Sequence, residues 1–108
     1  MVIGNVQQTD PQAAYLARHV ALKSGCAIST PAHVVNRLCG SGFESLVSAA
    51  HSILLGEASV AVAGGTESMS NTPHVLWGAR KGYRFGQQWE LEDMLMASLQ
   101  DPMCQMFM

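Results

Sequence analysis

This sequence is poor in charge: 13% of its 108 residues are Asp, Glu, Lys or Arg, and the formal net charge is −2. Without a basic run or stripe there is no electrostatic footprint for nucleic acid and none for an anionic membrane surface. No apolar stretch approaches the roughly 20 residues of a membrane span, so no span is expected, and Met1-Val2-Ile3-Gly4 does not read as a signal peptide. Cysteine is scarce. Cys26, Cys39 and Cys104 form neither an even set nor a Cys-x-x-Cys pair, which argues against a disulfide framework and for a reducing, intracellular compartment. The four histidines, His19, His33, His51 and His74, lack ligand spacing and read as surface or interface residues, so no metal site is expected. Methionine is dense from Met94 to Met108, which reads as adaptable packing rather than a soft-metal site. Gly64-Gly65 is a bare pair without the full glycine fingerprint of a phosphate cradle.

What the chain has is apolar residues, at 48%, and a clear alternation of elements in its first two thirds. Val2 to Val6 is a short apolar segment with a glycine inside, readable as a strand. Asp10-Pro11 starts a helix, since Asp10 caps free N–H groups and Pro11 suits the first helical position. Ala13, Leu16, Ala17 and Val20 recur at helical spacing, and Gly25 closes the helix, expected over about residues 11–24. Ala32 to Leu38 suits a buried strand. A second helix is expected from near Gly42 to Gly56, with Phe43, Leu46, Val47, Ala50, Ile53 and Leu54 as one broad apolar face. Ala58 to Ala63 reads as a short strand of small residues. Strand, helix, strand in that order is a βαβ unit with parallel strands, and it brings the segments after both strands, at Cys39 and at Gly64-Gly65, to one rim of the sheet. Past Ser70 the glycines scatter and the pattern turns loop-like, with one or two helical turns expected between Leu91 and Leu99.

Asn36-Arg37-Leu38-Cys39-Gly40-Ser41-Gly42 places a cysteine on a sharp strand-to-helix turn. A thiol there faces unpaired backbone N–H groups and the positive end of the helix dipole, which favours the thiolate and raises its reactivity. Gly40, Gly42 and Ser41 leave little bulk around the sulfur, so a substrate carbonyl has room to approach. Ser41 is read as a helix cap.

One helix after this turn comes Gly64-Gly65-Thr66-Glu67-Ser68-Met69-Ser70. The two motifs, in this order and spacing, resemble a thiolase, and more narrowly the N-terminal half of a 3-ketoacyl-CoA or acetoacetyl-CoA thiolase. Val2-Ile3-Gly4-Asn5-Val6 is similar to the strand that precedes them in that family. The resemblance runs from about Val2 to Ser70 and then weakens. It implies an α/β fold: a partial thiolase-like N-terminal domain, with a parallel-biased sheet, flanking helices and a βαβ unit around Cys39. Residues 1–70 would be the core of that domain, and 71–108 the start of the loop domain and subunit-contact region. A subunit of this family is several times longer, so the chain is expected to be a fragment, its start saying nothing of the parent's address. It contains none of the family's Asn-Glu-Ala-Phe, Gly-His-Pro or Cys-x-Gly stretches, which carry the activating histidine and the acid/base cysteine.

By the same resemblance the parent is an acetyl-CoA C-acyltransferase of fatty-acid β-oxidation, a homodimer or homotetramer. Its nucleophile is Cys39, it needs no metal or bound cofactor, and acyl-CoA and coenzyme A are substrates. The compartment is bacterial cytoplasm or mitochondrial matrix. Around Cys39, Asn36 bonds the backbone of the cysteine turn or reaches another subunit, Gly40 occupies a variable position, and Gly64 and Gly65 pack backbone closely beside the thiol. Glu67 anchors its loop by accepting hydrogen bonds from backbone or Asn36, or across a dimer interface, with no acid/base role. The competing readings are a ketoacyl-synthase-type condensing enzyme and a catalytically silent fragment that serves only as an assembly piece.

Overall fold

A computed structural model describes residues 1–108, which fall into two compact units, Met1–Ser68 and Met69–Met108. The first is built on a three-stranded parallel sheet in the order β2-β1-β3, with β1 at Val2–Gly4, β2 at His33–Val35 and β3 at Ala63–Gly65. The register pairs Gly4 with Val35 on one side and with Gly65 on the other. Helix α1, Leu16–Lys23, connects β1 to β2, and α2, Ser41–Leu54, carries the chain from β2 past β1 to β3. The two crossovers leave β1 and β2 in opposite directions, and with the right hand usual for parallel strands such a pair sets its helices on opposite faces.

The carboxyl ends of both helices follow their sequence signals, and the start of α1 departs from its own. A 3-10 turn at Ala13–Tyr15 precedes α1, and Asp10 steadies it by accepting Gln12 N–H on Oδ1 at 2.7 Å. The regular α-helix therefore starts later than the Asp10-Pro11 signal suggests. Gly25, at φ +84°, ends α1 with the paired bonds Gly25 N–H to Leu22 O and Cys26 N–H to Ala21 O. Gly56, at φ +74°, does the same for α2 with bonds to Ile53 O and Ser52 O.

Two strand assignments shift. β2 stops at Val35 because Asn36 and the turn that follows divert the chain, so the expected run to Leu38 is three residues too long. β3 is the Ala63-Gly64-Gly65 segment rather than Ala58–Ala63; β1 meets the approaching chain first at Val62, whose carbonyl accepts Val2 N–H at 2.9 Å.

The core is made of Val2, Ile3, Ala17, Ala21 and Ala49. Helix α2 meets the sheet with its small side, Ser41, Ser45 and Ala49, all buried, while the broad apolar face of Phe43, Leu46, Ile53 and Leu54 stays exposed. Small side chains let the helix lie against β1 and β3, which end in Gly4 and Gly65. A methyl group built on Gly4 would come within 2.5 Å of the Ser41 carbonyl, and one on Gly65 within 3.4 Å of Gly42 Cα. With Phe43 74% and Leu54 81% exposed, this helix is flanked by apolar surface on the side away from its own sheet.

In the second unit the segment read as loop-like carries regular structure. β4, His74–Val75, pairs antiparallel with β5, Glu92–Asp93, and α3, Met94–Leu99, follows at once with Asp93 as its cap, accepting Leu95 N–H at 2.9 Å. Trp77 Nε1 donates to Glu92, and the Tyr83 hydroxyl to the Trp77 carbonyl, which fasten the connection between the two strands. Strands of two residues in a glycine-rich stretch are too short to show a period of two.

Candidate active site

The carboxyl ends of β1, β2 and β3 lie side by side, so the residues that follow them share one rim. After β2, Asn36 Oδ1 accepts Leu38 N–H at 3.0 Å, a side-chain mimic of a backbone turn. Gly40 N–H then reaches back to Arg37 O at 3.1 Å, closing a four-residue turn with Leu38 and Cys39 at its centre. Leu38 adopts φ +49°, a left-handed conformation that disfavours a side-chain-bearing residue by roughly 1–2 kcal/mol. It persists because both its polar groups are held. Its N–H goes to Asn36, and its carbonyl accepts Ser41 N–H at 3.0 Å and the Ser41 hydroxyl at 2.6 Å.

Ser41 is therefore not the cap of α2. Gly40 holds the cap position without a side-chain bond, and Ser41 is the first helical residue, its buried hydroxyl also accepting Arg37 N–H at 2.8 Å. It clasps the turn from inside. A serine just before a helix reads as a cap in sequence, but the helix starts one residue earlier than expected and takes Ser41 with it. Arg37 adds an exposed ion pair to Glu44 at 2.7 Å, of the kind that contributes little.

Cys39 projects from this turn with an exposed, free thiol. It lines an open cleft of about 340 Å³ together with Gly4, Val6, Leu38, Gly65 and Glu67. Ser41 and Gly42 contribute to the same walls, whereas Asn36 and Gly40 support the turn from behind. Gly64 does not border the thiol: its α-carbon hydrogen points at Ile3, with Cδ1 4.0 Å from where a methyl would sit. Only Gly65 of the pair makes the close backbone approach beside the cysteine turn. A neighbouring recess of about 280 Å³, bordered by Asp10, His19 and Lys23 among others, contains no cysteine. No group of three or more His, Cys, Asp or Glu side chains gathers to hold a metal ion.

Glu67 accepts from the backbone, as expected, and from Asn5 rather than Asn36. Oε2 takes Val6 N–H at 2.9 Å, and Oε1 takes Gln7 N–H at 2.9 Å and Asn5 Nδ2 at 3.2 Å. Asn5, buried, also donates to Thr66 O at 3.0 Å. Gly4, Asn5, Val6, Leu38 and Thr66 are the members of this site that sequence reasoning passes over. A glycine inside a three-residue strand, followed by a polar residue, is the signal available for the first two; a leucine at positive φ leaves none.

The whole chain, residues 1–108, matches the family described as thiolase, N-terminal domain. Among curated proteins it is 50% identical over 102 residues to beta-ketothiolase BktB of Cupriavidus necator, covering 94% of this chain and 26% of that protein. It is 48% identical over 101 residues to the human mitochondrial 3-ketoacyl-CoA thiolase, covering 94% of this chain and 25% of that protein. The crystal structure of human mitochondrial 3-ketoacyl-CoA thiolase superposes with a TM-score of 0.93 at 47% identity, over 97% of this chain and 27% of the other. The same protein in complex with CoA gives the same values. The chain thus spans about a quarter of the length of the relatives it matches. With a parallel sheet in the order 2-1-3, a cysteine turn after its second strand and a match from the first residue to the last, this chain belongs to the family of thiolase N-terminal domains.

Proposed function

We propose that this chain supplies the nucleophile of an acetyl-CoA C-acyltransferase that cleaves 3-ketoacyl-CoA. The observation that carries the reading is the free, exposed Cys39, held on a fastened turn and lining an open cleft of about 340 Å³. The Cys39 thiolate attacks the 3-keto carbon, the bond between carbons two and three breaks, and the electron pair leaves on the acetyl-CoA carbon, which takes up a proton. The acyl group now rests on sulfur. A second coenzyme A thiol attacks this thioester, giving an acyl-CoA shortened by two carbons and freeing Cys39. Sulfur suits both halves, since it is a strong nucleophile as thiolate and a good leaving group from a thioester. The Cys39 amide, beside the start of α2, is one donor for the oxyanion of each tetrahedral intermediate.

The names of the relatives support this substrate class, and one of them is a structure in complex with CoA. Coenzyme A acts here as substrate, without a bound cofactor. The groups that activate the thiol and protonate the leaving carbon come from polypeptide outside these 108 residues, in a homodimer or homotetramer, within a reducing intracellular compartment. Loss of thiolysis in Cys39→Ala of the full-length polypeptide, with folding unchanged, tests the assignment; retained activity would end it.

A second reading, an assembly piece without catalysis, draws on the uncovered apolar face of α2. Co-purification with full-length thiolase subunits and no acyl adduct on Cys39 would favour it.

A further inference from the structure

Glu67 borders the cleft of Cys39, and its carboxylate is engaged by the end of the neighbouring strand β1. Two consecutive backbone N–H groups, those of Val6 and Gln7, each donate to it at 2.9 Å, one to each oxygen, and the buried Asn5 amide adds a third bond at 3.2 Å. Two neighbouring peptides held by one carboxylate leave the segment a single orientation, and hydrogen bonds to a charged acceptor are the stronger kind. In that orientation the Val6 carbonyl accepts Asn36 Nδ2, at 3.4 Å the longest link of the series. The other end of the same side chain, Oδ1, holds the Leu38 amide at 3.0 Å, immediately before the thiol. The connection crosses all three strand ends, from Glu67 after β3, through Val6 after β1, to Asn36 and Cys39 after β2.

We infer that Glu67 is a positioning residue for Cys39, acting through the Val6 peptide and Asn36 and touching no substrate. The inference rests on the reading of Cys39 as the acyl-transfer nucleophile. Three N–H donors on its two oxygens tie Glu67 to the β1 end, an arrangement that suits holding backbone in place. Asn5 belongs to the same device: bonded to both Thr66 O and Glu67 Oε1, it ties the β1 and β3 ends together beneath the carboxylate.

The test is a double-mutant cycle in the full-length polypeptide, with thiolysis of acetoacetyl-CoA followed in wild type, E67Q, N36A and the N36A/E67Q pair. Misplacing a nucleophile by about an ångström costs on the order of 100-fold, so E67Q and N36A should each lower kcat by roughly 10- to 100-fold while KM stays within about threefold. Because both act along one connection, the double variant should be no slower than the worse single variant. An E67Q enzyme within twofold of wild type in kcat, or a double variant whose loss equals the product of the two single losses, overturns the inference. If E67Q does not fold, Asn5→Ser leaves the carboxylate in place and removes one of its donors. It should lower kcat several-fold at unchanged KM, and an unchanged kcat would be equally fatal. A wild-type polypeptide that forms no thioester on Cys39 removes the underlying reading instead, and shows itself before any variant is made.

Discussion

Gly4 and Ser41 meet backbone to backbone: a methyl group on Gly4 would lie 2.5 Å from both the carbonyl carbon and the carbonyl oxygen of Ser41. The middle strand of the sheet is thereby pressed against the first turn of the helix that follows the thiol. Gly4→Ala has no flexible side chain to push aside, so the helix start must move. The expected outcome is a loss of about 1–3 kcal/mol in denaturant unfolding, together with slower alkylation of Cys39, because the displaced segment is the one that presents it.

Ser41 offers a second point of leverage. Its hydroxyl serves Arg37 N–H and Leu38 O at once from a buried position, so Ser41→Ala leaves Arg37 N–H without its acceptor and Leu38 O with the Ser41 N–H alone. A destabilisation of about 1–3 kcal/mol is expected, measured by urea titration. An effect of only a few tenths, as for an exposed cap, would mean that the hydroxyl is not the clasp described above.

Leu38 carries the backbone strain of the turn at φ +49°. Leu38→Gly should therefore be neutral or stabilising by up to about 1 kcal/mol, since glycine adopts this conformation freely, while Leu38→Val should cost at least about 1–2 kcal/mol because a β-branched residue is worse still there. Equilibrium unfolding of the two variants side by side checks the ordering; valine tolerated better than glycine would contradict it.

The three cysteines provide an internal comparison. Cys26 is half-buried behind the end of α1, and Cys104 is exposed in a turn, as Cys39 is. If exposure alone governed reactivity, Cys39 and Cys104 would react with iodoacetamide at equal rates near neutral pH. The position of Cys39 just before the start of a 14-residue helix predicts that it reacts faster, by about tenfold. Peptide mapping after timed alkylation separates the two.

How much of this was legible in the sequence depends on how local the signal is. The glycines at 25 and 56 close their helices as read, because a left-handed helix end is a property of a few consecutive residues. The cysteine turn is equally local, and Asn36 bonds its backbone as one of the two expectations had it. What was not legible is pairwise. Gly4 matters only because Ser41 lies above it, Asn5 only because Thr66 and Glu67 lie beside it, and these contacts span 37 to 62 positions of sequence. Helix α2 shows the limit of periodicity most clearly. Its hydrophobic stripe was visible, but the face that seats on the sheet is the serine- and alanine-bearing one, chosen by how closely the backbone must approach Gly4 and Gly65. β3 slipped for a related reason: Ala58–Ala63 has strand-like composition, whereas the segment that pairs with β1 ends in two glycines of low strand propensity.

The account turns on Cys39 as the acyl carrier. The most direct measurement is intact mass of the full-length polypeptide after brief exposure to acetoacetyl-CoA, with tryptic mapping of any adduct. The prediction is a single acetyl group on the peptide containing Cys39, discharged by added coenzyme A. Turnover of acetoacetyl-CoA with Cys39 unmodified, or with the acetyl group on another residue, would contradict it.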